Sequence, residues 1–236
     1  MKKLCVVSCP IATRSGYGSR SRDLVRSLIQ TKGEEWDIKI LPQRWGNTPQ
    51  SALTSEDTDL TSRLITGQMN QKPDVWMQIT IPSEFQPIGH FNIGVSAVIE
   101  TTEASADFIE GCNRMDLTLV SSEHSKTTLQ AVYEKLDEKT KQKVGEVKLT
   151  KPVEVLFEGF NPAIYDNKAE VSKSVNEMMS DVNESFAYLF VGHWLQGNIG
   201  HDRKNVSGLI HTFLNTFKNK KNKPALILKT SITAPG

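Results

Sequence analysis

Two stretches of the chain gather residues able to hold an anion. The first is RSGYGSRSRDL, residues 14–24, directly after an apolar run. A glycine-bearing loop between a strand and a helix lets backbone N–H groups approach an anion at the positive end of the helix. Gly16 and Gly18 would give that approach, with Ser15, Ser19 and Arg20 as further donors. The same residues also describe an ordinary tight turn that opens a helix. The second stretch carries His193, Trp194, Gly197, Gly200, His201, Asp202, Arg203 and Lys204 ahead of a helix expected from Asn205. Cations at a helix N-terminus oppose its dipole, so Arg203 and Lys204 need another reason to be there. A bound diphosphate supplies one: arginine offers a planar fork and lysine a point charge. Asp202 reads as a cap of the same helix.

Carboxylates and hydroxyls follow two other apolar runs. Glu100, Thr101, Thr102 and Glu103 come after an expected strand, where open α/β sheets bind their ligands. Glu100 is suited to meet a substrate hydroxyl, with Thr101 beside it. The alternative is capping, with Thr101 or Thr102 opening the next helix. Ser121, Ser122 and Glu123 open a later helix, in which Ser122, Ser125 and Lys126 read first as capping residues. A ligand role is secondary, and His124 reads as a surface helix position. Neither the histidines nor Asp202 have chelating spacing, so no metal is expected. Asp57-Thr58-Asp59 has the D-x-D form, but no strand delivers it, and it reads as a loop coincidence. Gly16-x-Gly18-x-x-Ser21 lacks the third glycine of a dinucleotide fingerprint. The second strand ends on Gln43 and Arg44 rather than on the ribose-binding acid. An NADP reading through Arg44 rests on equally little.

These residues need a scaffold, and the composition supplies one. The chain has 236 residues, 38% hydrophobic and 23% charged, enough for a sizeable core. A net charge of +1 gives no overall attraction to nucleic acid or membrane. The run Lys218, Lys220, Lys221, Lys223 reads as a solvated helix C-terminus. Cys5, Cys9 and Cys112 form an odd set without metal spacing, which fits a reducing, cytoplasmic setting. The opening MKKLCVVSCPIA reads as a first buried strand rather than a signal peptide, and no apolar run approaches transmembrane length.

The elements alternate. Strands are expected at Leu4–Ser8, Trp36–Leu41, Asp74–Ile79, Phe91–Ile99, Leu117–Val120 and Val153–Phe157. Helices are expected at 19–31, weakly at 60–70, at Ala104–Cys112 and at Glu123–Leu136. This order predicts an α/β fold with a Rossmann-like parallel sheet covered on both faces. Turn chemistry at Phe160–Asn167 marks the exit from a first domain, 1–166. A second region, 167–236, holds a polar linker helix at 169–181, a strand at Phe186–Val191, a helix at Asn205–Phe217 and a strand at Ala225–Lys229. One βαβ unit is too little to cover a sheet, so this second Rossmann-like domain reads as truncated. Its apolar positions Ile210, Phe213 and Leu226–Leu228 are expected to lack partners.

Taken in order, several stretches resemble the glycosyl transferases group 1 family of GT-B fold. They are SGYGSRSRDLVRSL, IGVSAVIETTEAS with CNRMDLTLVSSEHSK, VEVLFEGFNPAIY, and YLFVGHWLQGNIGHDRKNVSGLIHTF. The resemblance implies two Rossmann-like domains facing across a cleft, the first for the acceptor and the second for most of the sugar nucleotide. It implies transfer of a sugar from a nucleotide-diphosphate sugar, with retention and without a metal or other cofactor. Lys204 matches the family lysine on the donor diphosphate, with Arg203 adjoining. His193 stands where the family often has an arginine. Gly16 and Gly18 match the N-terminal glycine loop; Tyr17, Arg20, Thr101 and Ser121 fall on the acceptor side, and Glu100 is the candidate catalytic residue. The family's paired-glutamate motif lies further along such chains, so this stretch alone is expected to be inactive. Two other readings stand beside it: a non-catalytic Rossmann-type nucleotide- or sugar-binding protein, and an NADP-dependent oxidoreductase.

Overall fold

The computed structural model describes residues 2–162, 164–194, 199–202 and 204–230. The chain divides into two compact units, Met1–Tyr165 and Asp166–Gly236. In the first, β1 (Lys3–Cys9), β2 (Trp36–Pro42), β3 (Val75–Ile79), β4 (Phe91–Ser96), β5 (Leu117–Val120) and β8 (Val153–Val155) form one sheet in the order β2-β1-β3-β4-β5-β8. Every pairing in it is parallel. The order reverses direction between β1 and β3, the topological switch point at which α/β sheets open a crevice. This is an α/β, Rossmann-like arrangement.

The sheet is covered on both faces, which is why β1 reads as a continuous apolar run rather than an alternating one. Cys5, Val7 and Cys9 pack with Ile38, Ile40 and Met77 under helix α1 (Gly16–Lys32), which contributes Val25, Leu24 and Leu28. Val6 and Trp76 face the other way. They join Phe85, which follows the 3-10 turn Pro82–Glu84, with Ile109 and Cys112 from helix α3 (Ala106–Asn113) and Leu129 from helix α4 (Glu123–Leu129).

Several boundaries differ from the sequence expectation, each for a local reason. The helix expected over 60–70 is a single turn, α2 (Thr58–Thr61). Helix α4 stops at Leu129 rather than Leu136. Tyr133–Leu136 (β6) turns back and pairs antiparallel with Lys143–Val147 (β7). Thr127 and Thr128 are weak helix formers, and the Tyr133 hydroxyl donates to the Thr128 carbonyl at 2.7 Å across the break. Strand β4 ends at Ser96 instead of Ile99: the Ala97 N–H and carbonyl bond the Tyr17 and Ser121 side chains rather than a neighbouring strand, and Ile99 adopts a left-handed backbone, φ 52°. Helix α3 opens after Ser105, so neither Thr101 nor Thr102 caps it.

In the second unit, helix α5 (Lys173–Met179) precedes β9 (Ala187–Val191), α6 (Val206–Phe217) and β10 (Ala225–Lys229). Strands β9 and β10 pair in parallel across the α6 crossover. Phe186, Tyr188, Phe213 and Phe217 gather edge to face and tilted, with centroids 5.0–6.2 Å apart. Among the described residues of this unit only Asp202 and Val206 are buried. The positions expected to lack partners, Ile210, Phe213 and Leu226–Leu228, are half-buried; the openly exposed ones include Phe186, Leu189, Val191 and Leu214. Among the described residues, no helix is long and apolar enough to cross a membrane.

Candidate functional site

The turn from β1 into α1 can be read by asking where each backbone N–H goes. Ile11 donates to Cys9, Thr13 to Pro10, Arg14 to Pro49 and Ser19 to Ser15. Gly18 donates to the Ser15 side chain at 3.0 Å, the N-cap bond of α1. A Cβ on Gly18 would lie 2.3 Å from the Thr13 carbonyl oxygen and 3.0 Å from that of Pro10. Gly18 is therefore a packing glycine with an occupied N–H. Gly16 is exposed, with no atom within 4 Å of a would-be Cβ. The turn itself is held by Arg22, which donates to the Ile11 and Thr13 carbonyls at 2.9 and 3.0 Å. Any anion approaching here meets Gly16 and the first helical turn, not a wide cradle.

Two strands along the sheet from β1, the segment after the carboxyl end of β4 is fastened from two sides. The Tyr17 hydroxyl pairs with Ser96 Oγ at 3.0 Å and accepts the Ala97 N–H at 3.0 Å. From α4 and the residue before its cap, Ser121 Oγ donates to the Ala97 carbonyl, Ser125 Oγ to that of Val98 at 2.6 Å and His124 Nε2 to that of Thr101 at 3.0 Å. Ser122 accepts the Ser125 N–H as N-cap of α4, the capping role read from the sequence. Within this frame Ile99 takes its left-handed conformation and Glu100 follows, exposed. A β-branched residue with positive φ is an outlier that persists only where its surroundings over-determine it. Glu100 lies near enough to Tyr17 for its charge to oppose ionisation of the phenol. Burial is the main cause that raises the Tyr17 pKa, so the hydroxyl stays neutral.

Tyr17, Glu100, Thr101 and Ser121 thus meet at one edge of the sheet, though with different roles. Tyr17 stacks on Trp45 at 4.2 Å and spends its hydroxyl on β4. Ser121 and Thr101 are spent on the same segment, Thr101 Oγ1 donating to the Glu103 carbonyl. Glu100 alone of the four makes no side-chain hydrogen bond among the described residues. Arg20 reaches elsewhere: it donates to the Leu156 carbonyl at 2.9 Å and pairs with Glu158 at 3.0 Å, tying α1 to the segment after β8. Its Nε is buried and unbonded.

Residues read as coincidences or as alternatives also find partners. Asp57 and Asp59 both bind Arg26, and no group of three or more metal-ligating side chains forms among the described residues. Gln43 donates its amide to Ser8 Oγ at 2.7 Å, which occupies the position a ribose-binding acid would take. Arg44 is exposed.

In the second unit, buried Asp202 accepts the Val206 N–H at 2.9 Å and its carbonyl accepts that of Asn205. The bond from Val206 leads the causes that hold its carboxyl below the ordinary range. The helix opens through Asn205 in a left-handed conformation, φ 50°, with Gly208 packed against its side chain. Lys204 is exposed just before this start, and His193 is half-buried two residues beyond β9. Arg203 and Gly197 lie outside the described residues. The residues that sequence reasoning missed are the fasteners: Ser96, Ser125, His124 and Trp45. The sequence marks Ser125 as a capping residue and His124 as a surface position, and no spacing rule ties either to Glu100.

No family model matches the chain, and no curated protein matches it.

Proposed function

We propose that this protein transfers a sugar from a nucleotide-diphosphate sugar to an acceptor hydroxyl. The observation that carries the reading is the fastened Ala97–Thr101 segment, which presents an unengaged carboxylate at the carboxyl edge of a parallel sheet. Glu100 accepts a hydrogen bond from the acceptor hydroxyl and orients it. In the second unit, Lys204, Arg203, His193 and the N-terminal dipole of α6 meet the donor diphosphate. In the reaction the bond from the anomeric carbon to the phosphate oxygen breaks, the acceptor oxygen takes that carbon on the same face, and its proton passes to the departing phosphate. Fixed cations stabilise the charge that grows on the leaving group, so the protein itself supplies what a metal would. A reducing, cytoplasmic setting belongs to the same reading and is supported by three unpaired thiols.

A binding-only reading is favoured by one observation: the Ile11, Thr13, Arg14 and Gly18 N–H donors of the β1–α1 turn are engaged within the fold. The test separates the two. Nucleoside-diphosphate binding and product release are measured over UDP-, GDP- and ADP-sugars in a full-length version that carries the paired-glutamate motif, as wild type, Lys204→Ala and Glu100→Gln. Loss of a charge-assisted contact of about 1.5–3 kcal/mol weakens nucleotide binding by Lys204→Ala at least about tenfold. Glu100→Gln binds nucleotide as wild type does and loses transfer. Binding without turnover in the wild type supports the binding protein, and wild-type behaviour of both variants removes the transferase.

A further inference from the structure

Beside the sheet edge, the first unit carries an open groove of about 750 Å³ between α1 and the segment after β8. Its two walls differ. On the helix wall, Ser19, Asp23, Ser27 and Gln30 follow one another at helical spacing. Eleven residues at about 1.5 Å rise make this row roughly 16 Å long. None of the four side chains makes a hydrogen bond among the described residues. The opposite wall carries three exposed rings beside Glu158 and Asn161: Phe157 is 80% exposed, Phe160 67% and Tyr165 64%. Phe160 and Tyr165 sit edge to face at 6.4 Å, which fixes their rings with respect to each other.

The charges in the groove constrain what fits. Arg20 is paired with Glu158, and Arg26 with Asp57 and Asp59. Among the described residues that line it, no cation is left over for a phosphate or a nucleic-acid backbone, and Asp23 repels both. A wholly apolar occupant would bury the Asp23 carboxylate and the Gln30 amide without partners, a costly step. An uncharged ligand with an apolar face and many hydroxyls satisfies both walls. Its C–H face lies on the exposed rings, and its hydroxyls donate to Asp23 and exchange bonds with Ser19, Ser27 and Gln30.

We propose that this groove binds a neutral saccharide of more than one ring. The inference rests on the groove's own chemistry and not on the transfer reaction, so the two can fail separately. The whole chain is titrated with maltotriose, cellotriose, mannotriose and triacetylchitotriose, and NMR shifts of the aromatic side chains are followed. At least one trisaccharide is expected to move the Phe157, Phe160 and Tyr165 signals. The variant Phe157→Ala/Phe160→Ala, which removes two exposed rings and leaves the core intact, weakens that binding at least about tenfold, as loss of stacking contacts requires. Asp23→Asn, which keeps size and removes the acceptor charge, weakens it less. Silence across all four sugars overturns the proposal, as does binding that survives the double substitution. Shifts of the same signals on dilution without sugar also overturn it, in favour of a second copy of the chain. Lys204→Ala leaves the saccharide titration unchanged, which keeps this result apart from the donor test.

Discussion

Removing the Ser125 hydroxyl takes one fastener from the Ala97–Thr101 segment and leaves the sheet untouched. Ser125 is 2% exposed and Val98 5%, so water has no route to replace the 2.6 Å bond between them. A buried carbonyl left without its donor costs about 1–3 kcal/mol. Alanine returns roughly 0.5 kcal/mol through its higher helix propensity. The net loss for Ser125→Ala is about 0.5–2.5 kcal/mol. In a unit of this size each kcal/mol lowers the melting temperature by about 2–4 °C. Ser121→Ala and His124→Ala remove bonds at the surface, where water substitutes, and each costs less than about 0.5 kcal/mol. Thermal unfolding of the three variants, with hydrogen exchange at Ile99–Thr101, reads the ordering directly. Ser125→Ala should melt lowest and exchange fastest in that segment. If it melts with Ser121→Ala and protects these amides as wild type does, the segment is held by something other than these bonds. The case for Glu100 as a positioned carboxylate then falls with it.

Three further outcomes follow from other parts of the fold. A Cβ on Gly111 would lie 1.8 Å from the Pro82 carbonyl oxygen, and backbone cannot swing aside, so Gly111→Ala destabilises by at least about 2 kcal/mol in urea unfolding despite better helix propensity. Gly145→Ala, with open space around it, is the neutral control. Burial pushes the Cys5 and Cys9 thiols up from 9.0 to about 12. Iodoacetamide at pH 8 should therefore label them roughly a thousandfold more slowly in the native protein than in denaturant, and equal rates would mean that β1 is not buried. The Asn92 N–H, first among its partners, holds the Asp116 carboxyl below its ordinary 3.8. With the folded value depressed, its contribution is complete above the unfolded value and is lost as pH falls through the folded one. Acid titration of stability should steepen below about pH 4, and less so in Asp116→Asn.

Much of the scaffold could be read in advance because hydrophobic periodicity reports directly on it. The alternation of runs such as LCVVS and VWMQI with an α1 stripe at Leu24, Val25 and Leu28 predicts a sheet covered on both faces, and that sheet is present. The β6–β7 hairpin was not legible. AVYEKL carries apolar residues at a spacing compatible with either a helix or a strand, and a 3.6-residue pattern extended from α4 swallows it. The pairing that decides between them comes from Lys143–Val147, a mostly polar stretch with little pattern of its own. Expected strand ends overshot at Ile99 and Phe157 for a related reason. Apolar residues continue past the last ladder bond, and sequence does not say where the carbonyls change partner.

The site divides along the same line. Position at a strand end is a local property, so the placement of Glu100 and Ser121 beyond β4 and β5 could be read from the sequence. What a glycine is for is not local. Gly16 and Gly18 look alike in the sequence, yet one stands in open space and the other would drive a methyl into the Thr13 carbonyl. Nor is it local why an isoleucine accepts a left-handed backbone. Ile99 pays a conformational cost of about 1–2 kcal/mol, and neither of its neighbours in sequence offers a reason. The reason lies 80 residues upstream in Tyr17 and about 25 downstream in His124 and Ser125, which hold Ala97, Thr101 and Val98 respectively. Bonds across such separations are closed only by a formed sheet, so the geometry at Glu100 exists only once β1, β4 and β5 are side by side with their helices. A backbone held around Glu100 against local preference is what the transfer reading needs, and it comes from the fold as a whole rather than from any motif.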